Sequence, residues 1–475
     1  MTQKPDIILV MSDEHSPMFS SSYGHPIVRT PNMDRLASHG ATFDAAYCAS
    51  PICVPSCMAF MTAQYPSRTE AWDNGSPLRS DIPTFAHVLQ KQGYETVLIG
   101  KMHFIGPDQL HGFEKRLVED SRVCGTWIEA PDWNDPDAPK DKARLRVTNS
   151  GSGTTAHVQQ DRDALKAALD FLDDLTRKEA DRRPVFLCVS FNAPHFPLIA
   201  PENFEEYWPD NVDMPDVTKE ELDSQHPFHK RLRSYFDIAD LDNTEILKAR
   251  AAFYALTTWL DNMLGEILDK VEAVYEGSHE QPMVGYVSDH GEMAGEHGLW
   301  WKCCFFEEAV RIPMILRWPG YIPEAVRVKT PVTLMDLSVT FAEIAGAVDD
   351  PVASSFVEFA NGENLLPFAC GEEQPDRAII SEYLAHAAAQ PIRMIRQAHW
   401  KYIWYFKEQN ELYNLEVDPR EKRNLASLPG YEQIAKNLRT LVLKNWDAAV
   451  LDSRVRESQR SRNLIAATES QGTFE

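Results

Sequence analysis

Long apolar runs are missing from this chain of 475 residues. No stretch approaches the roughly 20 consecutive apolar residues that a helix needs to cross a bilayer. Cysteine is sparse too, with 8 residues and no C-x-x-C pair, and the adjacent Cys303-Cys304 are poorly placed for an ordinary disulfide. This pattern excludes a disulfide scaffold and points to free thiols in a reducing compartment. Basic runs are short, and 71 acidic against 47 basic side chains give a formal charge of −24. Nucleic acid and anionic membrane surfaces are therefore excluded as partners. Met1 to Asp6 lead straight into an apolar strand, without a basic segment followed by a long apolar one. No secretory signal is expected, and the expected location is the cytoplasm. An anionic substrate must then be held locally, by a metal or a few placed cations, against the field of the whole chain.

What is present is a rhythm of short apolar runs and helices. Buried strands are expected at Ile7 to Met11, Thr96 to Ile99, Val185 to Phe191, Met283 to Val287 and Ile312 to Leu316. Helices are expected near 84–92, 161–177 and 244–274. The alternation indicates an α/β fold, a large mixed but mostly parallel sheet sandwiched by helices. Residues 115–155 and 200–240 lack clear periodicity and are expected as long loops. After about residue 375 the pattern turns to short antiparallel strands at 378–383, 393–396, 401–406 and 411–415, then a polar helix. We expect a catalytic α/β domain over 1–375 and a small C-terminal α+β subdomain over 376–475.

Ligands bind beyond the carboxyl ends of strands in open α/β sheets. The first strand is followed by Ser12-Asp13-Glu14 and the second by Gly100-Lys101-Met102-His103. The third leads to Asn192-Ala193-Pro194-His195, and the fourth to Ser288-Asp289-His290-Gly291-Glu292 and then Trp300-Trp301-Lys302. Any one of these has an ordinary reading, since an Asp at a strand end often caps the next helix. Their convergence at one end of one sheet does not. Asp13, Asp289 and His290 suit one divalent ion, with Glu14 a further oxygen donor. Lys101, Lys302, His103 and His195 supply cations and N–H donors for a tetrahedral oxyanion undergoing substitution. Separately, Cys53 stands just ahead of a helix start, with Pro55 in the first turn and Tyr65-Pro66 at the stop. Unpaired N–H groups there favour thiolate character and anion binding.

These segments, with Thr30-Pro31-Asn32-Met33-Asp34-Arg35-Leu36, Gly295-Glu296-His297-Gly298 and Leu412-Tyr413-Asn414-Leu415, together resemble the sulfatase family of the alkaline-phosphatase superfamily. The segment from Lys101 to Glu114, Tyr65-Pro66-Ser67-Arg68, Asp73-Asn74 and Gly298 to Lys302 look most like choline-sulfatase-type and arylsulfatase enzymes. Related phosphonate monoester hydrolases carry Tyr and Thr near the positions of Lys101 and His103, so this Lys/His pair argues for sulfate esters. The resemblance implies a sulfuric ester hydrolase acting on a small-molecule sulfate monoester, aryl or alkyl/choline-type. It implies that Cys53 is converted to formylglycine, and that Asp13, Glu14, Asp289 and His290, with residue 53, hold one metal. The family's metal is usually calcium, with manganese or magnesium as alternatives. It further implies that Asn74, Lys101, His195 and Lys302 bind the sulfate or the leaving oxygen, that His103 acts as acid/base, and that the protein is a dimer or tetramer.

Cys57 stands where the family motif C-x-P-S-R has arginine. Two alternatives follow, an unmodified Cys53 thiolate as nucleophile or an inactive site. The competing functional readings are a phosphonate monoester hydrolase or phosphodiesterase on the same residues, and an unmatured metal-dependent oxyanion-binding protein. Trp72, Trp127, Trp300 and Trp301 are weighed as an aromatic surface for a cationic head group or as ordinary core.

Overall fold

Within the run Ile7-Ile8-Leu9-Val10-Met11, side chains alternate between two separate cores. Ile7, Leu9 and Met11 join one apolar cluster, and Ile8 and Val10 join another. A strand buried on both faces in this way must lie inside a sheet covered by helices on each side. The computed structural model, which describes residues 4–120, 133, 143–177 and 182–469, shows that arrangement. An eight-stranded sheet runs in the order Val326–Val328, Ala41–Phe43, Met314–Arg317, Met283–Ser288, Ile7–Asp13, Val185–Pro194, Glu95–Gly100 and Lys115–Val118. Ile7–Asp13 is central and pairs in parallel with Val185–Pro194 and Met283–Ser288. On one face lie the helices Cys53–Thr62, Phe85–Lys91 and Leu334–Ile344, and on the other Ala156–Thr176 and Asn243–Val274.

The sheet is mixed and mostly parallel, as the pattern indicates, but one strand departs from it. Met314–Arg317, expected among the parallel strands, runs antiparallel to both neighbours, Met283–Ser288 and Ala41–Phe43. The connection from Ser288 comes back through loops and the four-residue helix Glu307–Val310, without a crossover helix of the length a parallel return requires. The stretch 200–240, expected as loop, holds three short helices, Phe204–Tyr207, Lys219–Ser224 and Pro227–Tyr235. Their starts carry ordinary signals, the Thr218 side chain accepting from Glu221 N and Pro227 in the first turn. Within 115–155 the described residues include the strand Lys115–Val118 and the helix Ala143–Thr148; Trp127 lies outside the described residues.

The C-terminal strands Ala378–Tyr383, Ile392–Gln397, Trp400–Tyr405 and Glu411–Asn414 form an antiparallel meander. The helices Glu432–Val442 and Ala448–Glu469 follow, and a third apolar cluster unites them with the meander. Trp72 belongs to that cluster, with Arg454 5.6 Å from its ring centroid, while Trp300 and Trp301 are buried in the core behind the sheet. These three pack as core. Among the described residues no helix is long and apolar enough to cross a membrane.

A buried ion pair ties the last helix to the catalytic side. Arg462 donates to both carboxylate oxygens of Asp73 at 2.7 Å, and Asp73 also accepts from Gly75 N at 2.9 Å. The carboxylate is fully buried, so removing only its cation leaves an uncompensated charge. Arg462→Met is expected to cost about 3–5 kcal/mol, read from urea unfolding midpoints. The double variant Asp73→Asn/Arg462→Met should recover a good part of that loss. An Arg462→Met protein as stable as the parent would show that this pair does not hold the C-terminal helix.

Candidate active site

The carboxyl ends of the central strands come together as a single buried cluster. Asp13 ends its strand, and the next residue, Glu14, adopts the left-handed conformation (φ 68°), which turns the chain across the strand end. Glu14 N then donates to Asp289 Oδ1 at 3.1 Å, which joins the ends of two adjacent strands. Gly100 turns at φ 88°, where a Cβ would meet Ser190 O at 2.2 Å; only glycine lets the chain deliver Lys101 at this point. Lys101 Nζ bridges Asp13 Oδ2 at 3.0 Å and Asp289 Oδ2. Gly291 likewise has no room for a side chain, since a Cβ would lie 2.0 Å from Glu308 O.

Cys53 is the first residue of the helix Cys53–Thr62 rather than preceding it. Its helix start is pinned at two points. Val54 N donates to Asn74 Oδ1 at 3.0 Å, and Ser56 Oγ donates to the backbone oxygen of Asp289 at 2.5 Å. Cys53 Sγ faces His290 Nε2 at 3.2 Å. The other ring nitrogen, Nδ1, faces Gly291 O at 3.1 Å, which assigns the proton to Nδ1 and leaves the Nε2 lone pair toward Cys53 and Asp13. Thiolate character, expected from the helix start, is not what the surroundings favour. Burial, with Asp13 beside it, pushes the Cys53 thiol up to about 12, and Lys302 and Lys101 only partly offset this. Desolvation of the anion outweighs the helix dipole.

The opposite wall is cationic. Lys302 Nζ lies 3.0 Å from Glu14 Oε1, and His195 Nε2 lies 3.1 Å from Glu14 Oε2. His195 Nδ1 faces Phe196 O at 2.6 Å, which fixes the ring. His103 (φ 56°) is held by its backbone N–H on Asp120 Oδ2 at 2.6 Å, and its ring comes within 4.8 Å of Cys57 and Asp289 ligand atoms. Cys57 Sγ lies 3.7 Å from Asp289 Oδ2. Burial raises Asp13, but Lys101, Lys302 and His290 outweigh it and hold its carboxyl down at about 2. Glu14 goes the other way, because burial pushes it well up and Lys302 does not compensate. Asn74, expected at the substrate, has its carbonyl oxygen committed to the helix start.

Asp13, Cys53, Asp289 and His290 each offer one donor atom within 4.8 Å of the others, and Asp13, Glu14 and His195 form an adjoining group. Asp13 Oδ1 is buried and accepts no hydrogen bond among the described residues. A buried acceptor without a donor, beside carboxylate and imidazole, is what a divalent cation satisfies. The residues present therefore fit a metal.

Three further acids position the site, and of these only Glu292, in the run Ser288 to Glu292, stands in a strand-end motif. Asp161, on the helix Ala156–Thr176, accepts from Asn192 N at 2.7 Å and Ala193 N at 2.9 Å, fixing the turn into His195. Asp120 holds Met102 N and His103 N. Glu292 accepts from Trp301 N at 2.6 Å and so orients the loop bearing Lys302. For Asp120 and Asp161 the only sequence signal was a lone acid close to a motif or on a helix face.

Comparison with known proteins finds similarity over nearly the whole chain. A family model described as Sulfatase matches residues 5–347, and one described as N-sulphoglucosamine sulphohydrolase, C-terminal, matches 295–447. The choline-sulfatase of Rhizobium meliloti (strain 1021) is 34% identical over 489 residues, covering 100% of this chain and 93% of that protein. Arylsulfatase K of Mus musculus is 29% identical over 453 residues, covering 90% and 77%. Among solved structures, the phosphonate monoester hydrolase of Agrobacterium radiobacter superposes with TM-score 0.73 at 22% identity, covering 95% of this chain and 96% of that one. A protein solved in complex with its substrate D-glucosamine-2-N,6-O-disulfate gives TM-score 0.71 at 23% identity, covering 93% and 97%.

Asp161 carries a pH test of this framework. Burial pushes its carboxyl up to about 7, against the pull of the Asn192 and Ala193 N–H groups. The folded state thus binds this proton more tightly than the unfolded state, where the ordinary value is 3.8. Its contribution to stability is fully present below that value and is lost as pH rises through about 7. Asp161→Asn never ionises. The stability gap between parent and variant should therefore move in the variant's favour from pH 5 to pH 8, by at most about 1.4 kcal/mol per pH unit. Thermal midpoints across that range measure it, and a gap constant with pH would contradict the raised value.

Proposed function

The chain belongs to the sulfatase family, and from that premise we propose the roles of its residues in hydrolysing a small-molecule sulfate monoester, aryl or alkyl/choline-type, to an alcohol and sulfate. One observation carries the reading. The strand ends place Asp13, Lys101, Asp289 and His290 around the first residue of a buried helix, with His290 Nε2 3.2 Å from Cys53 Sγ. Asp13, Asp289 and His290, with residue 53 and with Glu14 from the adjoining group, would hold one divalent metal, calcium by preference and otherwise manganese or magnesium. Such an ion polarises the ester and lowers the pKa of an oxygen nucleophile, and formylglycine formed from Cys53 supplies that oxygen.

The chain's own side chains do the rest. Lys101 and Lys302 present ammonium groups that take the sulfate oxygens, where charge is held without solvent reorganisation. His195, its ring fixed by Nδ1 against Phe196 O and its Nε2 beside Glu14, would stabilise charge developing on the leaving oxygen by donating from Nε2 as the imidazolium. His103, its backbone clamped by Asp120, moves a proton at the nucleophile's oxygen. Asn74 fixes the helix start and offers its amide to the sulfate. Almost all of these groups are buried, so water is excluded from every ionic contact.

Cys57 removes the family's arginine, but Asp289 is not left without a cation, since Lys101 serves Asp13 and Asp289 together. We accordingly place formylglycine at residue 53 despite Cys57. Residues 1–375 form the catalytic unit and 376–475 a supporting one, in a cytoplasmic homo-oligomer, dimer or tetramer. The free state of all seven described cysteines supports a reducing compartment.

The deciding measurement is the mass of the peptide containing Cys53, from protein of the native host. Formylglycine makes it lighter by the exchange of the thiol and one hydrogen for a carbonyl oxygen; an unmodified thiol in fully active protein would refute the assignment. Cys53→Ala should abolish turnover. Cys57→Ala should leave kcat/KM within about threefold, because a thiol is only a weak donor to Asp289. A chelator should remove activity and calcium restore it. Higher kcat/KM for phosphonate monoesters or phosphodiesters than for sulfate monoesters would establish the competing hydrolase reading. Binding of sulfate without turnover would establish the unmatured oxyanion-binding protein.

A further inference from the structure

We propose that a cavity of about 430 Å³ between the C-terminal helices and the segment Tyr65–Arg68 binds a small amphiphilic anion, at a site separate from the active site. The volume suits a ligand of one or two rings. Four cations line it, Arg68, Arg393, Lys444 and Arg454, in a chain whose formal charge is −24. The lining carboxylate, Asp447, already accepts from Ala449 N at 3.0 Å and Val450 N at 3.1 Å, where it starts the helix Ala448–Glu469. Arg454 pairs with Glu70, and Arg393 Nε lies 3.1 Å from Glu382 Oε1. Arg68 and Lys444 have no carboxylate partner among the described residues, which leaves the cavity with surplus positive charge.

A second, independent feature asks for an acceptor. Trp446 is 9% exposed, and its indole Nε1 finds no acceptor among the described residues. Buried N–H groups are nearly always paired, and this one is left open in a residue that lines the cavity. The body of the ligand is set by the apolar walls. The Arg393 guanidinium lies 5.4 Å from the Tyr65 ring and 5.1 Å from the Trp446 ring, and Leu441 and Val450 stand 37% and 52% exposed at the rim. Cations, an unpaired donor, two aromatic faces and an apolar rim together select an organic carboxylate, sulfonate or sulfate ester with a flat or branched apolar part. A bare inorganic anion leaves the rim and rings unused.

The test uses the whole protein labelled with 5-fluorotryptophan, its residue 446 resonance assigned from Trp446→Phe. The probe is naphthalene-2-sulfonate, which carries no hydrolysable ester. A saturable shift of the Trp446 resonance is expected. In the variant Arg68→Ser/Lys444→Ser the apparent Kd should rise by about tenfold or more, with the other tryptophan resonances and the hydrolytic kcat/KM unchanged. No shift at Trp446 at millimolar probe, or equal Kd in parent and variant, would overturn the site. Inorganic sulfate should shift that resonance only at much higher concentration. If it matches the sulfonate, the amphiphilic assignment is wrong.

Discussion

The ammonium of Lys101, bridging Asp13 and Asp289 with no solvent access, is the constraint around which the site is built. Two carboxylates this close repel one another, and burial favours their neutral forms. The lysine reverses that balance at Asp13, whose carboxyl falls to about 2. Asp13 can then serve as an anionic ligand at neutral pH. Asp289 is also a covalent-like junction of the fold in hydrogen-bond terms. Its side chain receives Glu14 N and His290 N, and its backbone oxygen receives Ser56 from the nucleophile's helix. Charge neutralisation and the docking of the helix bearing Cys53 are thus one arrangement. Removing either partner of such a buried set leaves a charge without compensation.

Positioning is done from a distance. Asp161 reaches across from a surface-packed helix to hold the turn before His195, and Glu292 holds the loop before Lys302. Arg462, near the end of the last helix, holds Asp73, and the next residue, Asn74, caps the start of the nucleophile's helix. This chain of contacts gives the C-terminal helix a mechanical role at the active site, although it contributes no group to it. Each contact is a charged or amide group satisfied in a dry environment, where directional bonds are stiffest.

The amino-acid sequence makes the sheet and the strand-end residues legible because both depend on local pattern. The run from Ile7 to Met11 alternates between two cores, and Asp13, Lys101, His195 and Asp289 follow their strands directly. The direction of Met314–Arg317 is not legible, since an apolar run reads the same in a parallel or an antiparallel neighbour. Asp161 and Asp120 escape for a different reason. Their partners lie 31 and 17 residues away and on other elements, and a single acid on a helix face reads as a solvated charge. The family resemblance sets Asn74 at the sulfate, but its hold on Val54 N is not legible in the sequence, because the loop that carries it is placed by Arg462, far along the chain.

Cys53 shows most clearly what local pattern leaves out. A cysteine at a helix start is ordinarily a candidate thiolate, because unpaired N–H groups and the dipole favour the anion. Here the surrounding core decides otherwise. The side chain is fully buried between Asp13 and Asp289, and its thiol lies at about 12 despite two nearby lysines. Burial by itself thus favours the protonated thiol at residue 53, and a divalent ion held by Asp13, Asp289 and His290 would act in the opposite direction. A group that keeps position 53 while exchanging sulfur for oxygen is the harder donor beside the adjacent carboxylates and imidazole. The depth of burial that suppresses the thiol also excludes water from the lysines and strengthens their hold on a sulfate. The preference of these carboxylates and this imidazole for an oxygen donor, in a site closed to water, is what supports the proposed conversion of Cys53 with Cys57 in the arginine position.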